Sequence, residues 1–262
     1  MEWLVLVAAI VIGVPAAAWL AQDRLIFFPQ RVASVAHLPV DAKALEVTAA
    51  DGKRLRGWIR VPSATPAPLV LYFGGNAEEV SWTLADRRWP RGWAIAAVNY
   101  RGYGASEGAP GEVSLVGDAL AIYDAIAARA DVDPRRIVAV GRSLGTGVAV
   151  KLGVARPLAG VILISPYDSL VQIGRTHYPW LPVGWLLKHR FDVAADASRV
   201  QAPLLAIVAA GDWIIPNERS RALYDAWTQA KTWVVMPEAD HNTLGVSDTF
   251  WAEIARFLEA RT

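Results

Sequence analysis

The chain has 262 residues, no cysteine and a formal net charge of +1, a length that suits one large α/β domain with room for a short extra segment. Near-neutral charge and the lack of any Lys/Arg-rich run leave no electrostatic footprint for nucleic acid. The absence of cysteine excludes a disulfide framework, a thiolate metal site and a cysteine nucleophile, and it fixes no compartment, because oxidising and reducing environments both tolerate it.

From Trp3 to Ala21 no residue is charged. As a helix this run is about 28 Å long at roughly 1.5 Å per residue, close to one hydrocarbon core. Trp3 and Trp19 stand near its ends, where indole rings favour a membrane interface, and Pro15 is a kink that membrane helices tolerate. The expectation is an N-terminal transmembrane helix over residues 1–22, a single-pass anchor that makes the membrane a partner. A cleaved signal peptide and a buried core helix compete with it. Pro15-Ala16-Ala17-Ala18 imitates a cleavage region, but the segment lacks a positively charged start. Arg24 and Arg31 after the run, against Glu2 before it, place residues 23–262 on the cytoplasmic side.

Lys43 to Val61 reads as a hairpin, with β-like runs Leu45–Thr48 and Leu55–Val61 around the turn signal Asp51-Gly52. Strand and helix then alternate. Short apolar runs at Leu69–Phe73, Ala94–Asn99, Arg136–Val140, Val161–Ile164, Leu204–Val208 and Thr232–Val235 suit parallel strands buried on both faces. Helices are expected at Glu78–Arg88, Glu112–Arg129, Gly145–Ala155, Asn217–Thr228 and Thr249–Ala260. Val113, Val116, Leu120, Tyr123 and Ile126 recur at helical spacing. The pattern predicts an α/β fold, a mostly parallel twisted sheet with helices on both faces. Residues 165–200 interrupt it. Tyr167, Tyr178, Trp180, Leu181, Trp185, Leu186, Leu187 and Phe191 fall there, in a short cap insertion over the sheet edge or in a loop and helix packed on the body.

Gly141-Arg142-Ser143-Leu144-Gly145 follows the apolar strand Ile137–Val140 and precedes the small residues Thr146-Gly147-Val148-Ala149. That is the strand–turn–helix context of a nucleophile elbow, where glycines on both sides make room for a strained serine. A serine hydroxyl needs a base to take its proton, and in such sheets the acid and then the histidine follow the serine in the chain. Of the histidines, His37 precedes the sheet and His177 and His189 fall in the interrupting stretch. Only His241 follows the last strand. Asp212, after Leu204–Val208, is the expected acid, against the plain reading of a turn aspartate capping the next helix. Asp168 is the runner-up, and Asp240 is too close to His241 in sequence to meet it in the required geometry. An oxyanion needs two aimed backbone N–H groups, expected from Leu144 and, in the loop Gly74-Gly75-Asn76-Ala77, from Asn76. As a bland turn that loop needs no function.

These residues together resemble the alpha/beta-hydrolase superfamily. More narrowly, the chain is similar to membrane-anchored alpha/beta-hydrolase-domain proteins, which include protein depalmitoylases, and to their bacterial relatives. Nearly the whole chain carries the likeness: Arg24-Leu25-Ile26-Phe27-Phe28-Pro29, Tyr72 to Ala77, Asn99-Tyr100-Arg101-Gly102-Tyr103-Gly104-Ala105-Ser106-Glu107-Gly108, the elbow, Ser165-Pro166-Tyr167-Asp168-Ser169-Leu170, the Asp212 segment and His241-Asn242. Relatives usually read His-Gly-Asn where this chain has Gly74-Gly75-Asn76. The donor at Asn76 survives, and how the loop is braced is left open.

The resemblance implies hydrolysis with no metal or organic cofactor, and the family spans esterases, thioesterases, lipases and peptidases. The leading expectation is a serine hydrolase acting on a carboxylic ester or acyl thioester substrate. A peptidase of the same fold is the second reading, and a non-catalytic membrane-tethered binding protein the third.

Overall fold

The computed structural model describes residues 2–32, 34–35 and 37–261, with the side chains of Glu2 and of residues 4–12 outside that description. Among the described residues eight strands form one sheet in the order β1-β2-β4-β3-β5-β6-β7-β8. They are β1 (Lys43–Thr48), β2 (Arg54–Arg60), β3 (Ala67–Phe73), β4 (Ala94–Val98), β5 (Val132–Arg142), β6 (Gly160–Ile164), β7 (Leu204–Ala209) and β8 (Lys231–Met236). The β1–β2 hairpin is antiparallel and pairs antiparallel with β4, and every other pairing is parallel. Gly52, at φ 79°, turns the hairpin as Asp51-Gly52 predicts.

The strand sequences explain their positions. In β2 only alternate residues, Leu55, Gly57 and Ile59, are buried, as on a sheet with one wet face. In β3 every residue is buried, and alternate side chains serve opposite faces. Leu69, Leu71 and Phe73 join one core layer, which includes side chains of α2 (Glu112–Ala127), α3 (Leu144–Ala155) and α7 (Asn217–Ala226). Val70 and Tyr72 join the other, which includes Phe250, Trp251 and Ile254 of α8 (Asp248–Glu259).

The helix expected over Glu78–Arg88 is instead a short 3-10 turn at Val80–Ala85. Its backbone is committed to side chains: Ser81 N–H goes to Glu79, Val80 N–H to Asn99 Oδ1 at 3.1 Å, and Thr83 O accepts Trp89 Nε1–H at 3.0 Å. Those bonds replace the i to i−4 ladder an α-helix needs.

The segment 165–200 contains three short helices, α4 (Leu170–His177), α5 (Val183–Leu186) and α6 (Ala194–Ala197). Its aromatic residues divide. Tyr167 and Phe191 are fully packed in the core, whereas Tyr178, Trp180 and Trp185 are exposed.

The N-terminal reading needs correction. Residues Glu2–Phe27 form one helix, α1, with Pro15 inside it, yet among the described residues no helix is long and apolar enough to cross a membrane. Its last turns, beyond the uncharged run, carry Gln22, Asp23 and Arg24 and are bound to the domain. Gln22 Nε2 donates to Leu186 O at 3.1 Å and Gln22 Oε1 accepts Lys188 N–H at 2.7 Å. His189 Nε2 meets Asp23 Oδ1 at 3.0 Å, and the Phe27 ring is buried edge-on against His189. The expected single-pass anchor is therefore overturned, and with it the membrane as a partner and the cytoplasmic placement of residues 23–262. Of the described side chains in the uncharged run none is buried, and Trp3, Val14, Trp19 and Leu20 are exposed. Residues 4–12 of the run have side chains outside the described set.

The Tyr-Arg-Gly-Tyr-Gly block is a structural joint. Arg101 donates to both oxygens of Asp118 at 2.6 Å, from Nε and Nη2, and its Nη2 also reaches Asp51 Oδ1 at 3.0 Å. The guanidinium thereby pins the hairpin turn to α2. Gly104 is at φ 53°, and a Cβ there would lie 2.3 Å from Asn99 Nδ2, so a larger residue would be strained and would displace the Asn99 amide.

Candidate active site

Ser143 sits between β5 and α3 at φ 50° and ψ −117°, outside the regions open to an ordinary side-chain-bearing residue. Its surroundings hold it there. Ser143 N–H donates to Ile164 O at 2.9 Å, and Ser143 O accepts from Thr146 Oγ1 at 2.7 Å. The flanking glycines are obligatory: a Cβ on Gly141 would lie 2.4 Å from Gly145 O, and one on Gly145 would lie 2.2 Å from Phe73 O. The turn can thus be this tight only with glycine on both sides.

The structure brings Ser143, His241 and Asp212 together. His241 Nε2 lies 3.1 Å from Ser143 Oγ and Nδ1 lies 2.8 Å from Asp212 Oδ2. Because a carboxylate only accepts, Nδ1 carries the proton and Nε2 is free to accept the serine hydroxyl. All three residues are buried. The loops after β7 and β8 are joined to one another by Gly211 N–H to Ala239 O at 3.0 Å.

Asp212 is further held by Ile215 N–H and Ile214 N–H on Oδ1, at 2.8 and 3.1 Å, and by Ser165 Oγ–H on Oδ2, at 2.8 Å. Burial pushes the Asp212 carboxyl up, but the bonds from His241, Ile215 and Ser165 outweigh it and hold it below the usual carboxylate range.

The other candidates go elsewhere. Asp168 Oδ2 accepts Arg219 Nη1 at 3.0 Å and its Oδ1 accepts Ser169 N–H at 2.7 Å, while burial raises its pKa. Asp240 closes an exposed turn on Asn242 and Thr243 N–H. His37 bonds Ser81 Oγ, His177 donates to Ile214 O, and His189 joins Asp23 to Glu112 N–H.

Leu144 opens α3, where an N–H has no partner within the helix. The loop carrying Asn76 lies against the elbow: a Cβ on Gly75 would be 3.5 Å from Ser143 Cβ. Within that loop Gly74 O accepts Tyr100 Oη–H at 2.8 Å, Gly75 N–H donates to Glu78 Oε2 at 2.7 Å, and Ala77 N–H donates to Phe27 O at 3.3 Å. Glu78 is thus the brace that the missing histidine left open.

Sequence reasoning missed Ser165, Glu78 and Arg142. Ser165 was legible only as the first residue after β6, where a chain end faces the site. Glu78 and Arg142 were legible as charges two residues from Asn76 and one residue from Ser143. Among the described residues no group of three metal-ligating side chains stands together.

A sheet of this order, with a serine on the turn after its central strand, defines the alpha/beta hydrolases, and comparison with known proteins agrees. A family model described as serine aminopeptidase, S33 matches residues 65–188. An uncharacterized protein of Mycobacterium tuberculosis is 38% identical over 242 residues, covering 90% of this chain and 86% of that one. A lysophosphatidylserine lipase of Danio rerio is 29% identical over 198 residues, covering 67% of this chain and 51% of that one. Among solved structures, a Pyrococcus furiosus esterase superposes with a TM-score of 0.69 at 20% identity, covering 90% of this chain and 98% of that one. The chain belongs to the alpha/beta-hydrolase superfamily.

Proposed function

We propose that this protein is a serine hydrolase that cleaves carboxylic esters or acyl thioesters through an acyl-enzyme. The observation that carries this reading is the hydrogen-bonded chain from Ser143 Oγ through His241 to Asp212, at 3.1 and 2.8 Å, on a serine at positive φ. Ser143 Oγ attacks the acyl carbon as its proton passes to His241 Nε2. Asp212 keeps the proton on Nδ1 and stabilises the imidazolium. The oxyanion is received by the N–H groups of Leu144 and Asn76, the loop's neighbouring Gly75 and Ala77 N–H groups being committed elsewhere. Collapse expels the alkoxide or thiolate, which takes the proton from His241. Water then repeats the sequence on the acyl-enzyme. These steps use no metal or organic cofactor.

Glu78, the carboxylate beside the elbow, is not free to receive the ammonium of a peptide substrate. An aminopeptidase needs a free carboxylate for the substrate ammonium, and Glu78 is already paired with Arg142 and bonded to Tyr72 and Gly75 N–H. The Danio rerio lipase and the Pyrococcus furiosus esterase are consistent with an ester substrate. Within the hydrolase domain, residues 165–200 are read as a short cap. His177 of α4 bonds Ile214 O, which puts that segment beside the Asp212 loop.

The test is labelling by a fluorophosphonate probe. Wild type should be labelled and should hydrolyse an aryl acetate, and Ser143→Ala should do neither. Equal labelling of the two proteins removes Ser143 from the role.

A further inference from the structure

Two opposite charges stand beside the elbow. The Glu78 side chain is 6% exposed and that of Arg142 is 23% exposed, with Arg142 Nη1 donating to Glu78 Oε2 at 3.0 Å. Burial weakens the Arg142 guanidinium's hold on its proton, but the Glu78 carboxylate reverses this and the net direction is upward. A buried ion pair is poor value for stability alone, since apolar residues of the same volume serve as well or better. Its bonds suggest another use.

Glu78 Oε1 accepts Tyr72 Oη–H at 2.7 Å, and Oε2 accepts Gly75 N–H at 2.7 Å. Arg142 Nη2 donates to the main-chain oxygen of His241 at 3.3 Å. One unbroken chain of bonds therefore links the end of β3, the loop carrying Asn76, the elbow and the His241 loop. A Cβ on Gly75 would lie 3.3 Å from Glu78 Oε2 and 3.5 Å from both Arg142 Nη1 and Ser143 Cβ, so Gly75 stands next to both the pair and the reacting serine's side chain.

We propose that Glu78 and Arg142 form a positioning pair that keeps the Asn76 N–H and the His241 imidazole in register with Ser143 Oγ. The proposal rests on the hydrolase reading above. Neither residue touches substrate. Glu78 sets the loop by holding Gly75 N–H, and Arg142 sets the histidine by holding its carbonyl.

The charges facing His241 are Asp212 at Nδ1, Asp240 before it in the chain, Arg142 at its carbonyl and Glu78 behind Arg142. The pair presents no net charge, so removing one member leaves the other uncompensated. Arg142→Gln leaves a carboxylate that favours the imidazolium and moves the acid limb of kcat/KM to higher pH. Glu78→Gln leaves a guanidinium that disfavours it and moves the limb to lower pH.

The experiment measures kcat, KM and the pH profile on an aryl acetate for wild type, Glu78→Gln, Arg142→Gln, the double variant and Arg142→Lys. Each single neutral variant should lose about 10- to 30-fold in kcat with KM within about twofold, as misplacement without lost binding requires. Their acid limbs should move in opposite directions. The double variant should recover the wild-type limb and not the wild-type kcat. Arg142→Lys retains charge and fold but offers a single ammonium, so it should keep the limb and lose kcat about fivefold.

A purely structural pair would lower thermal stability and active fraction and leave both limbs in place, which overturns the proposal. So does a wild-type kcat in Arg142→Lys, the variant that still decides the matter if the neutral ones do not fold. Turnover by wild type with unmoved limbs rejects the pair alone. A wild type inert to both aryl acetate and fluorophosphonate rejects the hydrolase reading and the pair together.

Discussion

Ser165 Oγ donates to Asp212 Oδ2 at 2.8 Å, the same oxygen that His241 Nδ1 reaches at 2.8 Å. Ser165 is itself at positive φ, 48°, directly after β6. The hydroxyl stabilises the carboxylate form and leaves Oδ2 one lone pair for the imidazole. A hydrogen bond to a charged group is worth about 1.5–3 kcal/mol. Ser165→Ala should therefore reduce kcat roughly tenfold without changing the fold. Steady-state kinetics with a circular dichroism control checks it, and a loss under twofold would make Ser165 incidental.

Asp212→Asn should lose on the order of 10³–10⁴-fold in kcat, since an amide at that place favours the wrong imidazole tautomer. Asp168→Asn should change turnover by less than about threefold, because Asp168 serves Arg219 and Ser169. The reverse ranking in steady-state assays would exchange their roles.

The lowered Asp212 pKa also gives a stability signature. A carboxyl held low in the folded state stabilises the fold above the unfolded value of about 3.9 and loses that contribution as pH falls through the lower folded value. Between about pH 5 and pH 3 the melting temperature of Asp212→Asn should consequently fall less than that of wild type. Parallel curves would mean that Asp212 is unperturbed.

Much of this site was legible because its signals are local. Gly141 and Gly145 bracket Ser143 within one turn, and the close approach of Gly145 to Phe73 O states why glycine is required. His241 and Asp212 were found from chain order, as loops after the last two strands. Arg142 escaped because its partners lie 64 and 99 residues away, and Ser165 because its partner lies 47 residues away. Glu78 escaped because a carboxylate that bonds the turn just before it, at Gly75, leaves no periodic trace. The Glu78–Arg88 helix was misread because bonds from Asn99 and Trp89 are invisible in a hydrophobic pattern. The first helix was misread because hydropathy does not show that its last turns, from Gln22 to Phe27, are bonded to the domain.

Gly145→Ala should not fold as wild type does. Its Cβ would meet Phe73 O at 2.2 Å and Gly74 O at 2.6 Å, both backbone atoms that cannot step aside. The expected destabilisation is about 3 kcal/mol or more, read as a drop in denaturant midpoint. Gly117→Ala, with nothing within 4 Å of the added carbon, is the control and should be neutral or slightly stabilising in its helix.

Trp180 and Trp185 are 67% and 92% exposed, so truncating them should leave the melting temperature within about 1 °C, as for surface positions generally. Their effect is expected in acyl selectivity. Each methylene buried against such a ring is worth about 0.8 kcal/mol, and two change preference roughly tenfold. The double alanine variant should flatten the dependence of kcat/KM on acyl length while sparing acetate. An unchanged ratio of long-chain to short-chain kcat/KM would show that the cap residues do not read the acyl group.

Phe27 O accepts the N–H of Ala77, and Gln22 Oε1 accepts the N–H of Lys188. Both acceptors belong to the last turns of α1, so two amides 111 positions apart in sequence are shielded by the same few residues. Amide hydrogen exchange should then release Ala77 and Lys188 together, at one common opening free energy, whenever that end of the helix lifts away. The opposite behaviour, independent protection at the two amides, would mean that the helix end frays one contact at a time. Concerted opening makes the first helix a kinetic guard on the loop beside Ser143, with its residence time setting how often that loop is free to change shape.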